Sequence, residues 1–204
     1  MVGIVDYSMG NLRSVQKAFE LLGVAAQIIH TPSGIRRADK LVLPGVGAFA
    51  DAMAVLEASG QADAIKDFVR TQRPFLGICL GLQLLMQTGY EDGRHTGLGL
   101  VPGECVRFTV DQPPQNLKVP HMGWNSVQPK PGTPLFKAVP ADTYYYFVHS
   151  YYVCPTDPRH VAATSDYGGE FTAAISMNQI MAVQFHPEKS QAAGRMILTN
   201  FANL

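Results

Sequence analysis

The sequence has no excess of either charge. Lys plus Arg and Asp plus Glu each number 16 in 204 residues, and no basic block interrupts the chain. A surface built to hold a polyanion needs clustered cations, so nothing points to nucleic-acid binding. No apolar run is long enough to cross a bilayer, and the first residues read as a core strand, not a signal peptide, so no membrane association is expected. Cysteine is scarce: Cys79, Cys105 and Cys154 are odd in number and lie at no metal-like spacing. That argues against a disulfide scaffold and against a structural metal site, and it fits a reducing, cytoplasmic setting. Internal repeats, low-complexity tracts and linkers are also missing, so a single domain over residues 1–204 is expected.

What is present is centred on Arg73-Pro-Phe-Leu-Gly-Ile-Cys-Leu-Gly-Leu-Gln-Leu-Leu-Met86. The stretch reads as a buried strand over 74–78, a sharp turn at Cys79 and a helix from Leu80 to about Gln87. Gly77 and Gly81 stand two residues to either side of the cysteine, the spacing of a nucleophile elbow in which only small neighbours fit. A thiol raised on such a turn sits at a helix N-terminus, whose free N–H groups favour thiolate, the reactive form. A lone cysteine is more often a buried packing residue. The paired glycines favour the reactive reading, and Cys105 and Cys154, which lack them, are expected to pack.

In chain order, 2–5 is a short apolar strand ending at Asp6, and Asn11 is placed to cap a helix carrying Leu12, Val15, Phe19 and Leu22, with Gly23 as its stop. Strands follow over 24–29 and 40–43, the latter breaking at Pro44. This rhythm predicts βαβ units and an α/β fold: an open mixed, mainly parallel sheet with helices on both faces, flavodoxin-like. Such sheets place sites at the carboxyl ends of their strands, so the loops after Val5, Leu43 and Ile78 should converge. The second of these loops, Pro44-Gly-Val-Gly-Ala-Phe49, has glycines that let backbone N–H groups turn toward a cavity as an oxyanion hole. Taken alone, it reads better as a Gly-rich turn before a helix at 51–56. Neither a Gly-Lys-Ser/Thr ending nor a GxGxxG pattern supports a phosphate loop.

The second half predicts short strands over 97–101 and 105–110, an aromatic strand over 144–153, strands over 161–164, 171–177 and 180–185, and a helix over 190–203. Gln184-Phe-His-Pro-Glu-Lys-Ser190 then sets His186 at a strand end with Glu188 two residues on. Cys79, His186 and Glu188 make a nucleophile, a base and an orienting carboxylate.

With these residues assembled, the chain resembles the class I (triad) glutamine amidotransferases over essentially its whole length. The resemblance rests on Gly77-Ile-Cys-Leu-Gly-Leu-Gln83, Pro44-Gly-Val-Gly47 and Phe185-His-Pro-Glu188. The markers Asp6-Tyr7 with Gly10-Asn11, Pro120-His-Met-Gly-Trp-Asn125 and Tyr145-Tyr-Phe-Val-His-Ser-Tyr151 narrow it to the glutaminase subunits of imidazole glycerol phosphate synthase. Ser8 departs from that pattern, where glycine is common. The resemblance implies hydrolysis of L-glutamine to glutamate and ammonia through a glutamyl thioester on Cys79, with no cofactor and no metal. It implies an oxyanion held by the N–H of Leu80 and by the Gly45-Val46-Gly47 stretch. It places substrate contacts at Gln83 and at His149, Ser150 and Tyr151. An exposed or capping glutamine competes at position 83, and a wall histidine, not a second base, is expected at 149. The implied partner is a (β/α)8-barrel cyclase subunit that takes the ammonia, docked near Asn11, Met122, Trp124, Tyr144 and Lys189. Glutaminases serving pyridoxal phosphate or aminodeoxychorismate synthesis are the alternative, and a binding module with a decayed triad is a third reading.

Overall fold

The computed structural model describes residues 1–204. Its first half runs β1 (Val2–Val5), α1 (Leu12–Glu20), β2 (Ala26–Ile29), α2 (Pro32–Arg37), β3 (Lys40–Gly45), α3 (Phe49–Ala58) and α4 (Gln61–Arg70). The elbow follows as β4 (Phe75–Cys79) and α5 (Leu80–Gln83). Beyond it lie β5 (Met86–Gly89), β6 (His95–Thr96), β7 (Val101–Arg107), β8 (His121–Pro129) and β9 (Thr143–His149). The chain closes with β10 (Tyr151–Pro155), β11 (Val161–Asp166), β12 (Glu170–Met177), β13 (Ile180–Val183) and α6 (Gln191–Ala202).

The strands join in the order β2-β1-β3-β4-β13-β12-β10-β7-β5-β6, with β11, β8 and β9 branching from β12. The first five are parallel; β13 to β12, β12 to β10 and β10 to β7 are antiparallel. This is the open mixed sheet expected, with helices on both faces. Alternation along the strands separates two cores. Val5, Leu41, Leu43 and Phe75 meet α2, α3 and α4 through Ile35, Phe49, Ile65 and Phe68. Val2, Ile4, Val42, Leu76 and Ile78 meet α1 and α6 through Val15, Phe19, Ile197 and Phe201.

Several expectations need correction. The helix after Cys79 stops at Gln83, not Gln87, and the chain turns into β5. The carbonyls that would continue it are taken by a later segment: Leu84 O by Leu98 N–H, Leu85 O by Leu100 and Val101, Met86 O by Gly99. That same segment is therefore a loop, and no strand spans 97–101; β7 begins at Val101 instead. β3 does not break at Pro44 but runs to Gly45. Its pairing with β1 ends at Val42, which leaves an edge on that side where a residue without an N–H is tolerated. The aromatic strand is two strands parted at Ser150, because β9 pairs with β8 while β10 pairs with β7 and β12. Asn11 precedes α1 but makes no side-chain cap bond. Helices α2 and α4 are additions. Cys105 is buried, whereas Cys154 is exposed and does not pack as expected.

Candidate functional site

The sharpest backbone feature in the sheet is at Cys79, which has φ +54° and ψ −110°. A β-carbon is strained there, so the conformation persists only because its surroundings impose it. Gly77 and Gly81 make that possible. A Cβ at Gly77 would lie 2.8 Å from the Gly81 carbonyl oxygen, and one at Gly81 would overlap the Leu43 carbonyl oxygen outright. Gly45 pairs with Cys79 in register, and a Cβ there would strike the Tyr7 hydroxyl and come within 2.9 Å of the Leu80 Cβ. Tyr7 is buried and its hydroxyl has no partner, so it supports the loop from beneath. The loops after β1, β3 and β4 thus meet, as the sheet rule anticipates. Ser8, the departure from the resembled pattern, has φ +67°, and its N–H is held by Asp6 Oδ1 at 2.8 Å. The left-handed conformation explains why glycine suits that position.

Cys79 opens onto a cavity of about 300 Å³. One wall is Val46 and Gly47; the floor is Leu80 and Gln83; the far side is Val148, His149 and Tyr151, with His186 and Glu91 completing it. A roomier hollow of about 430 Å³ between Pro129 and Val139 offers only Lys130 and Lys137 as titratable lining, so size alone misplaces the site. Gly45 and Ser150 do not line the cavity. Leu80 opens the first turn of α5, so its N–H has no helical acceptor. Gly47 holds φ +103°, which closes that position to larger side chains, and Val46 beside it is exposed.

His186 lies past the end of β13 and is nearly fully buried. Its Nδ1 is 2.8 Å from Glu188 Oε1, and that carboxylate is equally buried. Its backbone is pinned as well: the N–H donates to Tyr146 O at 2.9 Å, and the carbonyl accepts from Ser190 Oγ at 2.7 Å. Behind it, α6 approaches so closely that a Cβ at Gly194 would overlap the Pro187 carbonyl oxygen. Nε2 is left without a hydrogen-bond partner and faces the cavity that holds the sulfur. Burial opposes charge on this ring, yet the Cys79 sulfur and the Glu188 carboxylate outweigh it and raise the imidazole to about 10. The raised value favours the protonated ring beside the sulfur.

Two contributors, Gln184 and Glu91, were not singled out from the sequence. Gln184 is fully buried and its Nε2 donates to Cys79 Sγ at 3.7 Å. Gln83, far from being exposed, is buried, and its Nε2 donates to Tyr151 O at 3.0 Å and Gln184 Oε1 at 3.2 Å. Glu91 brings a carboxylate to the cavity while Oε2 accepts the Phe49 N–H at 2.6 Å, capping α3 from a distant loop.

Beside the cavity lies an aromatic face. Met122 is 62 % exposed, Trp124 47 % and Tyr144 58 %, while Tyr145 between them is fully buried. Trp124 pairs with Tyr146 and Met122 with Val148, a cavity residue, so face and cavity are continuous. Lys189 Nζ sits 5.7 Å over the Tyr146 ring. Asn11 is exposed. No helix is long and apolar enough to cross a membrane.

A family model described as glutamine amidotransferase class-I matches residues 3–203. The chain is similar to the imidazole glycerol phosphate synthase subunit HisH of Syntrophotalea carbinolica, 52 % identical over 206 residues and covering 100 % of each. It is similar too to the protein of that name from Rhodopirellula baltica, 52 % identical over 203 residues, with 99 % of this chain and 97 % of that one covered. Among solved structures, PurLQS from Thermotoga maritima superposes with a TM-score of 0.79 at 16 % identity, covering 99 % of this chain and 97 % of that one. A GMP synthase protein from Thermoplasma acidophilum gives 0.71 at 20 % identity, covering 99 % and 92 %. At those identities the two structures speak for the fold alone.

Proposed function

The chain belongs to the class-I glutamine amidotransferase family, and from that premise we propose that it is the single-domain, cytoplasmic glutaminase subunit of an imidazole glycerol phosphate synthase. It hydrolyses L-glutamine to L-glutamate and ammonia for a cyclase subunit of histidine biosynthesis. The observation that carries this reading is the strained Cys79 turned into the same cavity as a Glu188-held His186. The Cys79 thiolate attacks the carboxamide carbon of glutamine. The oxyanion is met by the Leu80 N–H and by a peptide N–H of the Gly45-Val46-Gly47 stretch. His186 gives its proton to the departing nitrogen, releasing ammonia and leaving a glutamyl thioester. Neutral His186 then takes a proton from water, whose oxygen attacks the thioester; glutamate leaves and the sulfur is freed. Gln83, His149 and Tyr151 line the substrate end. Ammonia lost to water would be protonated and wasted, so the cyclase docks on the Met122, Trp124 and Tyr144 face, next to the cavity rim at Val148. The test is co-purification with the cyclase coupled to a glutamate-release assay, with and without the cyclase's nucleotide ligand. Release from glutamine that ignores the partner would instead favour a glutaminase of another synthase.

Glu91 is the one carboxylate in the cavity, and it suits the α-ammonium of glutamine. Glu91→Gln is therefore expected to raise the KM for glutamine roughly 10- to 100-fold while kcat changes by less than about threefold. Steady-state kinetics of the complex decide it, and an unchanged KM rejects the contact.

Stimulation by the partner is assigned to a peptide flip in the Gly45-Val46-Gly47 stretch, which two glycines make cheap. Proline at 47 would demand a φ of about −65°, against the +103° present. Gly47→Pro is expected to abolish ligand-stimulated glutaminase while Cys79 still reacts with a small alkylating reagent. Undiminished stimulation would count against the flip.

A further inference from the structure

Behind the cavity wall runs a line of hydrogen bonds that the reaction above does not use. His149 Nδ1 is 2.8 Å from the Tyr151 carbonyl oxygen. His121 Nδ1 is 3.0 Å from His149 Nε2, and Asn125 Nδ2 is 3.3 Å from His121 Nε2. Its direction can be worked out atom by atom. A carbonyl oxygen only accepts, so His149 Nδ1 carries the hydrogen. A neutral imidazole has one N–H, so His149 Nε2 accepts and His121 Nδ1 is the donor; His121 Nε2 then accepts from the Asn125 amide. The amide is oriented independently, because Oδ1 accepts the Ser126 N–H at 2.8 Å and Nδ2 also donates to Asp166 O at 2.7 Å. No polar atom in the line is left over.

The surroundings keep both rings neutral. His121 is stacked between Tyr167 at 4.1 Å and Phe147 at 4.9 Å, with Phe108 and Phe171 edge-on. Burial lowers His121 to about 4 and His149 to about 3. The titratable groups facing the pair are the Tyr167 phenol and, on the His149 side, His186; no carboxylate bears on either ring.

The line ends on the carbonyl oxygen that Gln83 Nε2 also reaches. Gln83 commits its two amide hydrogens to Tyr151 O and Gln184 Oε1, which leaves its own Oε1 for the cavity. At the other end, Asn125 follows Trp124 on β8, the strand whose outer side forms the aromatic face. We infer that Asn125, His121 and His149 are positioning residues: they fix the Tyr151 carbonyl and, through it, the orientation of Gln83, tying the substrate wall to the partner-facing strand. This rests on the glutaminase reading of the cavity.

The first test needs no variant. A long-range ¹H–¹⁵N spectrum of the intact protein should show both rings as the Nδ1–H tautomer from about pH 6 to 8.5, whereas a free imidazole at those pH values is a mixture of forms. An Nε2–H tautomer on either ring overturns the line. The second uses Asn125→Asp in complex with the cyclase. A carboxylate cannot donate, so His121 Nε2 must take the hydrogen and the line reverses. His149 Nδ1 then keeps its bond to Tyr151 O only if the pair takes up a further proton. The KM for glutamine should therefore rise roughly tenfold from about pH 6 to 8.5 in the variant, with kcat nearly constant, while the wild-type KM moves less than about twofold. A variant KM as flat as the wild type overturns the inference. If the wild-type complex releases no glutamate, the glutaminase reading fails instead, and the tautomer spectrum still decides the direction of the line.

Discussion

Cys79→Ala is expected to lower glutamate release from glutamine by at least about 10³-fold, the scale on which deleting a nucleophile acts, without loss of cyclase binding. The two effects separate because the docking face and the sulfur are different parts of the surface. Cys79 is only slightly accessible, and its sulfur touches the cavity, whereas Met122, Trp124 and Tyr144 lie on β8 and β9. Alanine also keeps the turn geometry, since the positive φ is imposed by neighbours that a methyl side chain leaves in place. A second readout follows from the charge on His186. Its folded value is raised to about 10, and the sulfur is one of the two groups responsible. With the sulfur gone, burial and Glu188 remain, so the ring should titrate below that value in an NMR experiment. The sign for stability is fixed by the same shift. A raised imidazole stabilises the fold fully below its ordinary value near 6.5 and loses that contribution as pH climbs toward 10. The wild type should therefore lose melting temperature between those values, and the variant should lose less of it in the alkaline part. Persisting glutaminase activity in Cys79→Ala would dismantle the mechanism.

The elbow was legible because its constraints are local. Gly77, Cys79 and Gly81 sit within one turn, and Gly77 avoids a clash with the Gly81 carbonyl of that same turn, although the clash Gly81 avoids is with Leu43 of the neighbouring β3. The His186–Glu188 pair was legible for the same reason, two residues apart on a turn fixed by Pro187. The length of α5 was not, because the hydrogen bonds that end it come from Leu98 to Val101, and nothing in Leu84-Leu85-Met86 announces them. Ser150 parts two strands only because β8 and β7 compete for the aromatic run from either side. Glu91 was out of reach in another way. Its signal is a cap bond to Phe49, made from a sequence-distant loop that reads as an ordinary acidic turn. Helix α4 is a different case: Ala62, Ile65 and Phe68 fall at helical spacing and are buried, so its pattern stands in the sequence. So does that of α2, where Thr31 caps Gly34 and Pro32 takes the first position.

Gly81→Ala should be among the most damaging single-methyl additions in the chain. The new Cβ would be driven into the Leu43 carbonyl oxygen, a backbone atom in the middle of the sheet, and backbone cannot swing aside as a side-chain tip can. Ordinary overpacking costs about 1–3 kcal/mol, and a collision with a central strand should exceed the upper end. At this chain length that corresponds to a fall of roughly 6–12 °C in melting temperature. A useful comparison is Gly23→Ala, where no atom lies within 4 Å of the added carbon and the cost is only that of a left-handed φ of +73°. That penalty is about 1–2 kcal/mol, so the two variants should differ clearly in thermal melts. The catalytic effect should be larger than the loss of stability accounts for. Leu43 precedes the Pro44-Gly45 segment that pairs with Ile78 and Cys79, so any accommodation moves the loop and the nucleophile apart. Measured well below its melting point, folded Gly81→Ala should have glutaminase activity at least about 10²-fold below the wild type, in line with the sensitivity of catalysis to displacements near 1 Å. A folded variant with normal turnover would mean that the closeness of β3 to the turn is mere packing and plays no part in aiming the sulfur.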